Sequence, residues 1–187
     1  MSDIVTIVSG LPRSGTSLMM QMLEAGGLEV VTDNKRKADE DNPKGYYEFE
    51  KVKKIKEDSS WLDCVQGKTV KMVSDLLYYL PANRRYKVIF MKRDLREVLA
   101  SQKKMLNRRE WKDDSSDEEM GNLMKIHLDK LERWLAGKDY IDVLYVSYND
   151  IIKNPIKYAQ TVDNFLNRKL SIHKMGAVVE ESLHRNK

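Results

Sequence analysis

Val5-Thr6-Ile7-Val8-Ser9-Gly10-Leu11-Pro12-Arg13-Ser14-Gly15-Thr16-Ser17-Leu18-Met19-Met20 decides how the rest of this 187-residue chain is read. It opens on a short apolar, β-branched run and passes through a turn with two glycines and a proline. It then enters a helical pattern with Leu18, Met19, Met22 and Leu23 on one side. Strand, loop, helix is the layout of a phosphate-binding loop. Successive backbone N–H groups at a helix start converge on one point, and the helix dipole favours an anion there. Glycine lets the backbone turn sharply and approach the ligand closely. Ser14, Thr16 and Ser17 add hydroxyls to the same turn.

The loop departs from the nucleoside-triphosphatase pattern G-x-x-x-x-G-K-S/T at one position. Gly10 and Gly15 keep the spacing, but Thr16 stands where that pattern has its lysine, and the cation lies inside the loop as Arg13. The missing lysine is the point charge on the β- and γ-phosphates of ATP. The loop therefore reads as an anion cradle and poorly as an ATP site.

Composition narrows the classes. A chain of this length, 41% apolar and 33% charged, is expected to be one domain, residues 1–187, with a real core. The net charge of +4 argues for a local basic site for a small polyanion and against a nucleic-acid coat. Cys64 is the single cysteine, which excludes an intrachain disulfide and a cysteine metal cluster. No leader or membrane-spanning pattern is read, so the expectation is a cytoplasmic protein without a membrane span.

Further along, Leu28 to Thr32 is a short strand candidate, Lys68 to Val73 a strand, and Tyr86 to Met91 another. Asp33 to Gly45 is a polar loop, and Tyr46-Tyr47-Glu48-Phe49-Glu50 starts a helical stretch to about Asp58. Ser74 to Leu80 reads as a short helix stopped by Pro81. Asp94 and Glu97 form a capping-box-like pair opening a helix with Leu95, Val98, Leu99, Gln102, Met105 and Leu106 on its apolar face. After the polar run Asn107–Glu119, a long helix carries Met120, Leu123, Met124, His127, Leu131, Trp134 and Leu135 on one face. Tyr140 to Ser147 is a strand, Asn154-Pro155 starts a helix, and the tail from Ser171 is helical and then irregular. Strands alternating with helices predict an α/β fold. The expectation is three α/β/α layers around a mostly parallel sheet of about four to five strands, like the P-loop NTPases. The loop, Arg93 and Tyr148 all fall at the carboxyl ends of strands and should meet at one sheet edge.

Gly10-Leu11-Pro12-Arg13-Ser14-Gly15-Thr16-Ser17 resembles the 5′-phosphosulfate loop of sulfotransferases that use 3′-phosphoadenosine 5′-phosphosulfate (PAPS). Arg93-Asp94-Leu95-Arg96-Glu97-Val98-Leu99-Ala100-Ser101 resembles their 3′-phosphate segment, an arginine at a strand end with a serine eight residues on. Val146-Ser147-Tyr148-Asn149-Asp150-Ile151-Ile152-Lys153-Asn154-Pro155 resembles the Y-E-D-L-x-x-x-P segment after the last core strand. Glu181-Ser182-Leu183-His184-Arg185 looks like the tail of small bacterial-type members. The resemblance implies PAPS as donor, 3′-phosphoadenosine 5′-phosphate as product, and no required metal. It implies donor contacts from Leu11, Pro12, Arg13, Ser14, Gly15, Thr16, Ser17, Arg93 and Ser101, with Tyr148 by the adenine or the 3′-phosphate and Arg185 closing over the nucleotide. The R-K-G-x-x-G-x-W-K clamp of cytosolic animal enzymes is absent from the sequence.

Those animal enzymes carry lysine-threonine-histidine at the end of the strand preceding the 3′-phosphate strand. This chain has Lys71-Met72-Val73, so the lysine is kept and Val73 replaces the histidine. The resemblance then points to a carboxylate base, as in tyrosylprotein and heparan sulfotransferases. Glu48 is the first candidate and Glu50 the second, while Lys71 and Arg13 would stabilise leaving-group or transferring oxygens. His127, on an apolar helix face, reads as structural. The expected reaction is in-line transfer of the sulfuryl group to a hydroxyl or amine of a small molecule, glycan or peptide. Two alternatives stand beside it: a P-loop kinase or other nucleotide phosphotransferase, and a non-catalytic nucleotide-binding protein on the same scaffold.

Overall fold

The computed structural model describes residues 4–33, 35, 39, 45–108 and 116–179. Four strands form one wholly parallel sheet: β1 (Val5–Gly10), β2 (Thr69–Lys71), β3 (Tyr86–Lys92) and β4 (Ile141–Ser147), in the order β2-β1-β3-β4. The helices are α1 (Thr16–Ala25), α2 (Glu50–Lys53), α3 (Leu95–Arg108), α4 (Asp117–Ala136), α5 (Tyr148–Lys153), α6 (Pro155–Leu166) and α7 (Ile172–Ala177). Two 3-10 stretches, Ser60–Val65 and Ser74–Tyr79, flank β2.

Strand alternation splits the core into two faces. Val5, Ile7, Val88 and Phe90 pack with Trp61, Leu62 and Leu77 and with Leu131 and Leu135 of α4. Val8, Ile89 and Met91 pack on the other face with α1, α5, α6 and α7, through Met19, Leu23, Tyr148, Val162 and Met175. All six residues of β1 are buried, which is what a central parallel strand covered on both sides requires. Among the described residues no helix is long and apolar enough to cross a membrane.

Local signals place the element ends. Ser116 and Glu119 form a reciprocal capping box at the start of α4, and Pro155 opens α6. Gly27, at φ 102°, ends α1, and the Leu28 amide turns back to Leu23 O at 3.0 Å.

Four expectations need correction. Leu28–Thr32 makes a single parallel bridge, Val30 to Thr69, in place of a strand, because the β2 segment it meets is only three residues long. The helical stretch from Tyr46 shrinks to α2, because Tyr47 sits at φ 53° and Phe49 is extended. Leu123 is 62% exposed: α4 buries the line Met124–Leu131–Leu135, and Leu123 lies about 100° round the helix from Met124. The fourth is the Asp94–Glu97 capping box. Asp94 does cap, accepting the Arg96 amide at 2.8 Å, but Glu97 turns to the side chain of Arg93 instead of the cap backbone.

Candidate active site

The strand register brings the sequence-distant motifs to one edge. Gly10 pairs with Met91, and Met91 with Val146, so the loop, Arg93 and Tyr148 all leave the sheet at the same level. Gly10 (φ 147°) and Gly15 (φ 97°) hold the turn open. A Cβ on Gly10 would lie 2.5 Å from Ser14 Oγ, and one on Gly15 would lie 2.3 Å from Cδ2 of Tyr148. The two glycines are therefore required by close approach as well as by backbone angle. Arg13 also adopts positive φ, 70°, and the strained turn is tied in place: its Nε donates to Ser101 Oγ at 2.9 Å, and its carbonyl accepts from Arg93 Nη1 at 3.2 Å.

Arg93 is the hub. Its side chain is 6% exposed. Nε donates to Glu97 Oε2 at 2.8 Å, and the guanidinium lies 4.3 Å from the centre of the Tyr148 ring. The second Glu97 oxygen accepts from Asn149 Nδ2 at 2.8 Å. Arg93 Nη2, Ser14 Oγ, Ser9 Oγ and Asn149 Oδ1 are buried without a hydrogen-bond partner. Buried polar atoms are rarely left unpaired, and Arg93 Nη2 and Ser14 Oγ are donors suited to phosphate oxygens. With the glycine cradle, these orphaned donors fit an anionic group.

Placement of the other predicted residues is as follows. Leu11 buries its side chain against Val98 and Met124 and offers the loop its backbone, its carbonyl accepting from the Ser14 amide at 3.1 Å. Pro12 is exposed, and Thr16 and Ser17 open α1. Arg185 lies outside the described residues.

Glu48, Glu50 and Lys71 form a second group on the β2 side. Lys71 lies opposite Val8, and its ammonium donates to the carbonyl of Tyr46. Glu48 O accepts from Thr32 Oγ1 at 3.0 Å and from the Asp33 amide at 3.1 Å, which lays the Tyr46–Phe49 segment along the chain that bridges to Thr69. Lys53 pairs with Glu48 at 3.2 Å and with Glu50 at 2.6 Å, and these bonds, Glu50 foremost, raise the Lys53 pKa. Glu48 is the more enclosed carboxylate, 19% exposed against 43% for Glu50. Tyr46 and Trp61 belong to the core, and Phe49 packs edge-on against Trp61 at 5.7 Å. Tyr47 hydrogen-bonds Glu24 at 2.6 Å, and burial, with that carboxylate, pushes its phenol well above the ordinary range.

Three residues gain a place that sequence patterning did not give them. Glu97 and Asn149 join the Arg93 hub. His127 reaches the end of β2, with Nε2 2.9 Å from Ser74 Oγ and Nδ1 3.1 Å from Asp75 Oδ1. The signal for Asn149 lay within the third motif, where it replaces the glutamate of Y-E-D.

A parallel sheet between two helical layers, with a glycine-cradled loop after its first strand and a buried arginine at the adjoining strand end, is the architecture of an α/β protein of the phosphate-loop type. The family model of the sulfotransferase domain matches residues 3–187, and the chain belongs to that family. Its activity is sulfuryl transfer, PAPS is the donor the family uses, and the kinase alternative is not favoured. Among solved structures the chain is similar to the sulfotransferase domain from the curacin biosynthetic pathway. That match has 14% identity and a TM-score of 0.52, and covers 98% of this chain and 89% of that one. It is also similar to retinol dehydratase in complex with androsterone and the inactive cofactor PAP, with 14% identity and a TM-score of 0.51, covering 96% of this chain and 64% of that one. At this identity the two structures support the fold. No curated protein sequence matches the chain.

Proposed function

We propose that the chain binds PAPS across the C-terminal edge of β1, β3 and β4 and transfers its sulfuryl group to a hydroxyl or amine acceptor, a small molecule, glycan or peptide. The observation that carries this is the buried, unpartnered Nη2 of Arg93 beside the glycine-cradled loop. PAPS, when bound, supplies the sulfuryl group and leaves as 3′-phosphoadenosine 5′-phosphate. The loop amides of Arg13 and of Gly15 to Ser17, with the hydroxyls of Ser14, Thr16 and Ser17, hold the 5′ end at the start of α1. Arg93 and Ser101 hold the 3′-phosphate, and Tyr148 buttresses both Gly15 and Arg93. Arg13 links the two phosphate sites, since it already spans from the loop to Ser101. Glu48 takes the acceptor proton, supported by its enclosure and by Lys53, with Glu50 the more exposed second choice. Lys71 sets the Glu48 segment through Tyr46 and offers positive charge to transferring oxygens. One sheet packed on both faces supports reading residues 1–187 as a single domain, and the cytoplasmic location read from the sequence accompanies it.

A second reading for the base rests on His127. Its ring stands at Ser74, next to the Val73 position where animal enzymes have their histidine, and Asp75 orients it.

The first test is thermal stability with 3′-phosphoadenosine 5′-phosphate against ATP plus Mg²⁺. A ligand at one hundred times its dissociation constant adds about 2.7 kcal/mol. For a chain of this size that is a rise of roughly 5–11 °C. The 3′-phosphorylated nucleotide is expected to stabilise the wild type and not Arg93→Ala; stabilisation by ATP plus Mg²⁺ alone overturns the reading. Turnover of PAPS with a panel of phenols and alcohols then separates the bases. Glu48→Gln is expected to lower kcat about 10²–10⁴-fold with product affinity unchanged. The same loss in His127→Gln, with Glu48→Gln active, transfers the role to His127.

A further inference from the structure

Arg93 offers a donor in a fixed direction when its other nitrogens are held. Two are: Nε on Glu97 Oε2 at 2.8 Å and Nη1 on the Arg13 carbonyl at 3.2 Å. Glu97 is itself held from the far side, since its Oε1 accepts from Asn149 Nδ2 at 2.8 Å. The chain Arg93–Glu97–Asn149 thus ties α3 to the first turn of α5, across residues 52 apart in sequence. Tyr148, the neighbour of Asn149, closes the ring by stacking on the same guanidinium at 4.3 Å. An arginine side chain left alone samples many rotamers, and fixing it at the moment of binding costs entropy. Here that freedom is already removed.

We infer that Glu97 and Asn149 are positioning residues for the nucleotide site: Asn149 fixes the Glu97 carboxylate, and Glu97 fixes the Arg93 guanidinium with Nη2 presented to the 3′-phosphate. The inference rests on the proposed donor reading. Glu97 serves a second purpose in the absence of ligand, because a guanidinium this enclosed needs a counter-charge. Its charge opposes that of a phosphate, so its value to the site lies in geometry. That opposition gives the test a sign.

The measured quantity is the ratio of two dissociation constants by calorimetry, adenosine 5′-phosphate over 3′-phosphoadenosine 5′-phosphate, which isolates the contribution of the 3′-phosphate. Arg93→Ala is expected to collapse the ratio. Glu97→Gln, and independently Asn149→Ala, are expected to lower it about threefold to tenfold, the worth of one hydrogen bond, while adenosine 5′-phosphate binds within about twofold of wild type. Adding Glu97→Gln to Arg93→Ala should lower it no further, since both act through one group. Asn149→Ala leaves the net charge unchanged and serves alone if Glu97→Gln does not fold. Unchanged ratios in both variants overturn the inference. So does a parallel loss for both nucleotides, which marks a merely structural role, and so does a tighter 3′-phosphorylated complex in Glu97→Gln, which marks charge repulsion as dominant. A wild type that binds the two nucleotides alike overturns the donor reading itself and this inference with it.

Discussion

Gly15→Ala tests whether the cradle is a matter of backbone angle or of contact with Tyr148. Gly15 sits at φ 97°, and a Cβ there would lie 2.3, 3.0 and 3.2 Å from Cδ2, Cε2 and Cγ of Tyr148. Those atoms lie near the root of a ring that is 4% exposed and stacked on Arg93, so it has little room to yield. Gly27 is a matched control, with φ 102° and nothing within 4 Å of its Cβ position. Left-handed backbone costs an L-residue about 1–2 kcal/mol, and the loss of unfolded-state freedom returns about 0.4–1 kcal/mol. Gly27→Ala is therefore expected to destabilise by about 1 kcal/mol. Gly15→Ala adds overpacking of about 1–3 kcal/mol, giving a total near 3 kcal/mol. At 2–4 °C per kcal/mol for a domain of this size, the melting temperature should fall by about 2–4 °C in the first variant and about 6–12 °C in the second. The assay is thermal unfolding of both variants, repeated in a Tyr148→Leu background. If the clash dominates, Gly15→Ala should cost about 2 kcal/mol less in that background, and Gly27→Ala the same in both. Equal costs for Gly15→Ala and Gly27→Ala, or a Gly15→Ala cost indifferent to residue 148, would refute the reasoning.

Burial holds the Tyr86 phenol up at about 12, with Tyr140 adding to the rise and Arg84 opposing it. The neutral form is favoured in the fold, so its share of stability is full below the ordinary value of 10.0 and is lost as pH rises from 10 through about 12. Tyr86→Phe should flatten the alkaline loss of melting temperature, and an unchanged slope would count against the assignment. Asp33 accepts the Glu50 amide at 2.8 Å and the Lys35 amide at 3.1 Å, and these bonds, Glu50 first, lower its pKa below 3.8. Its contribution is therefore present above 3.8 and is lost as pH falls through the folded value; a carboxyl carbon titration centred at or above 3.8 would show the bonds absent in solution. Lys71→Met removes the donor to the Tyr46 carbonyl and is expected to lower kcat at least about tenfold, with product affinity held within about twofold. A matching loss of nucleotide binding would instead place Lys71 at the donor.

The sequence alone determined the parts of this protein that adjacent residues encode. The apolar run of β1, the Gly10–Gly15 spacing and the Met-rich face of α1 lie within one stretch, so strand, loop and helix were legible together. The end of β3 at Lys92 and the start of α3 at Leu95 were legible from the apolar strand run and the helical spacing after it, whereas the pairing of Arg93 with Ser101 came from resemblance to the family's 3′-phosphate segment. Failures came where a local rule had a distant competitor. Glu97 follows Asp94 at the capping-box distance, yet a buried guanidinium and an amide from α5 outbid a backbone N–H for its carboxylate. Tyr46–Asp58 reads as helical, but the carbonyls of Tyr46 and Glu48 are claimed by Lys71, Thr32 and Asp33, which keep Tyr46–Phe49 out of the helix.

Tertiary structure decided the rest. It fixed which carboxylate is enclosed, brought Asn149 to Glu97, and set His127 against Ser74 and Asp75. A sequence specifies each strand's residues and each helix's face, but not which strand ends lie side by side. In a parallel sheet every strand must return by a crossover, so chemistry carried at strand ends converges only once the order β2-β1-β3-β4 is set. The partners of Arg93 come from the loop at 13, from α3 at 97 and from α5 at 148, and only the completed sheet puts them within hydrogen-bonding and stacking reach of one guanidinium.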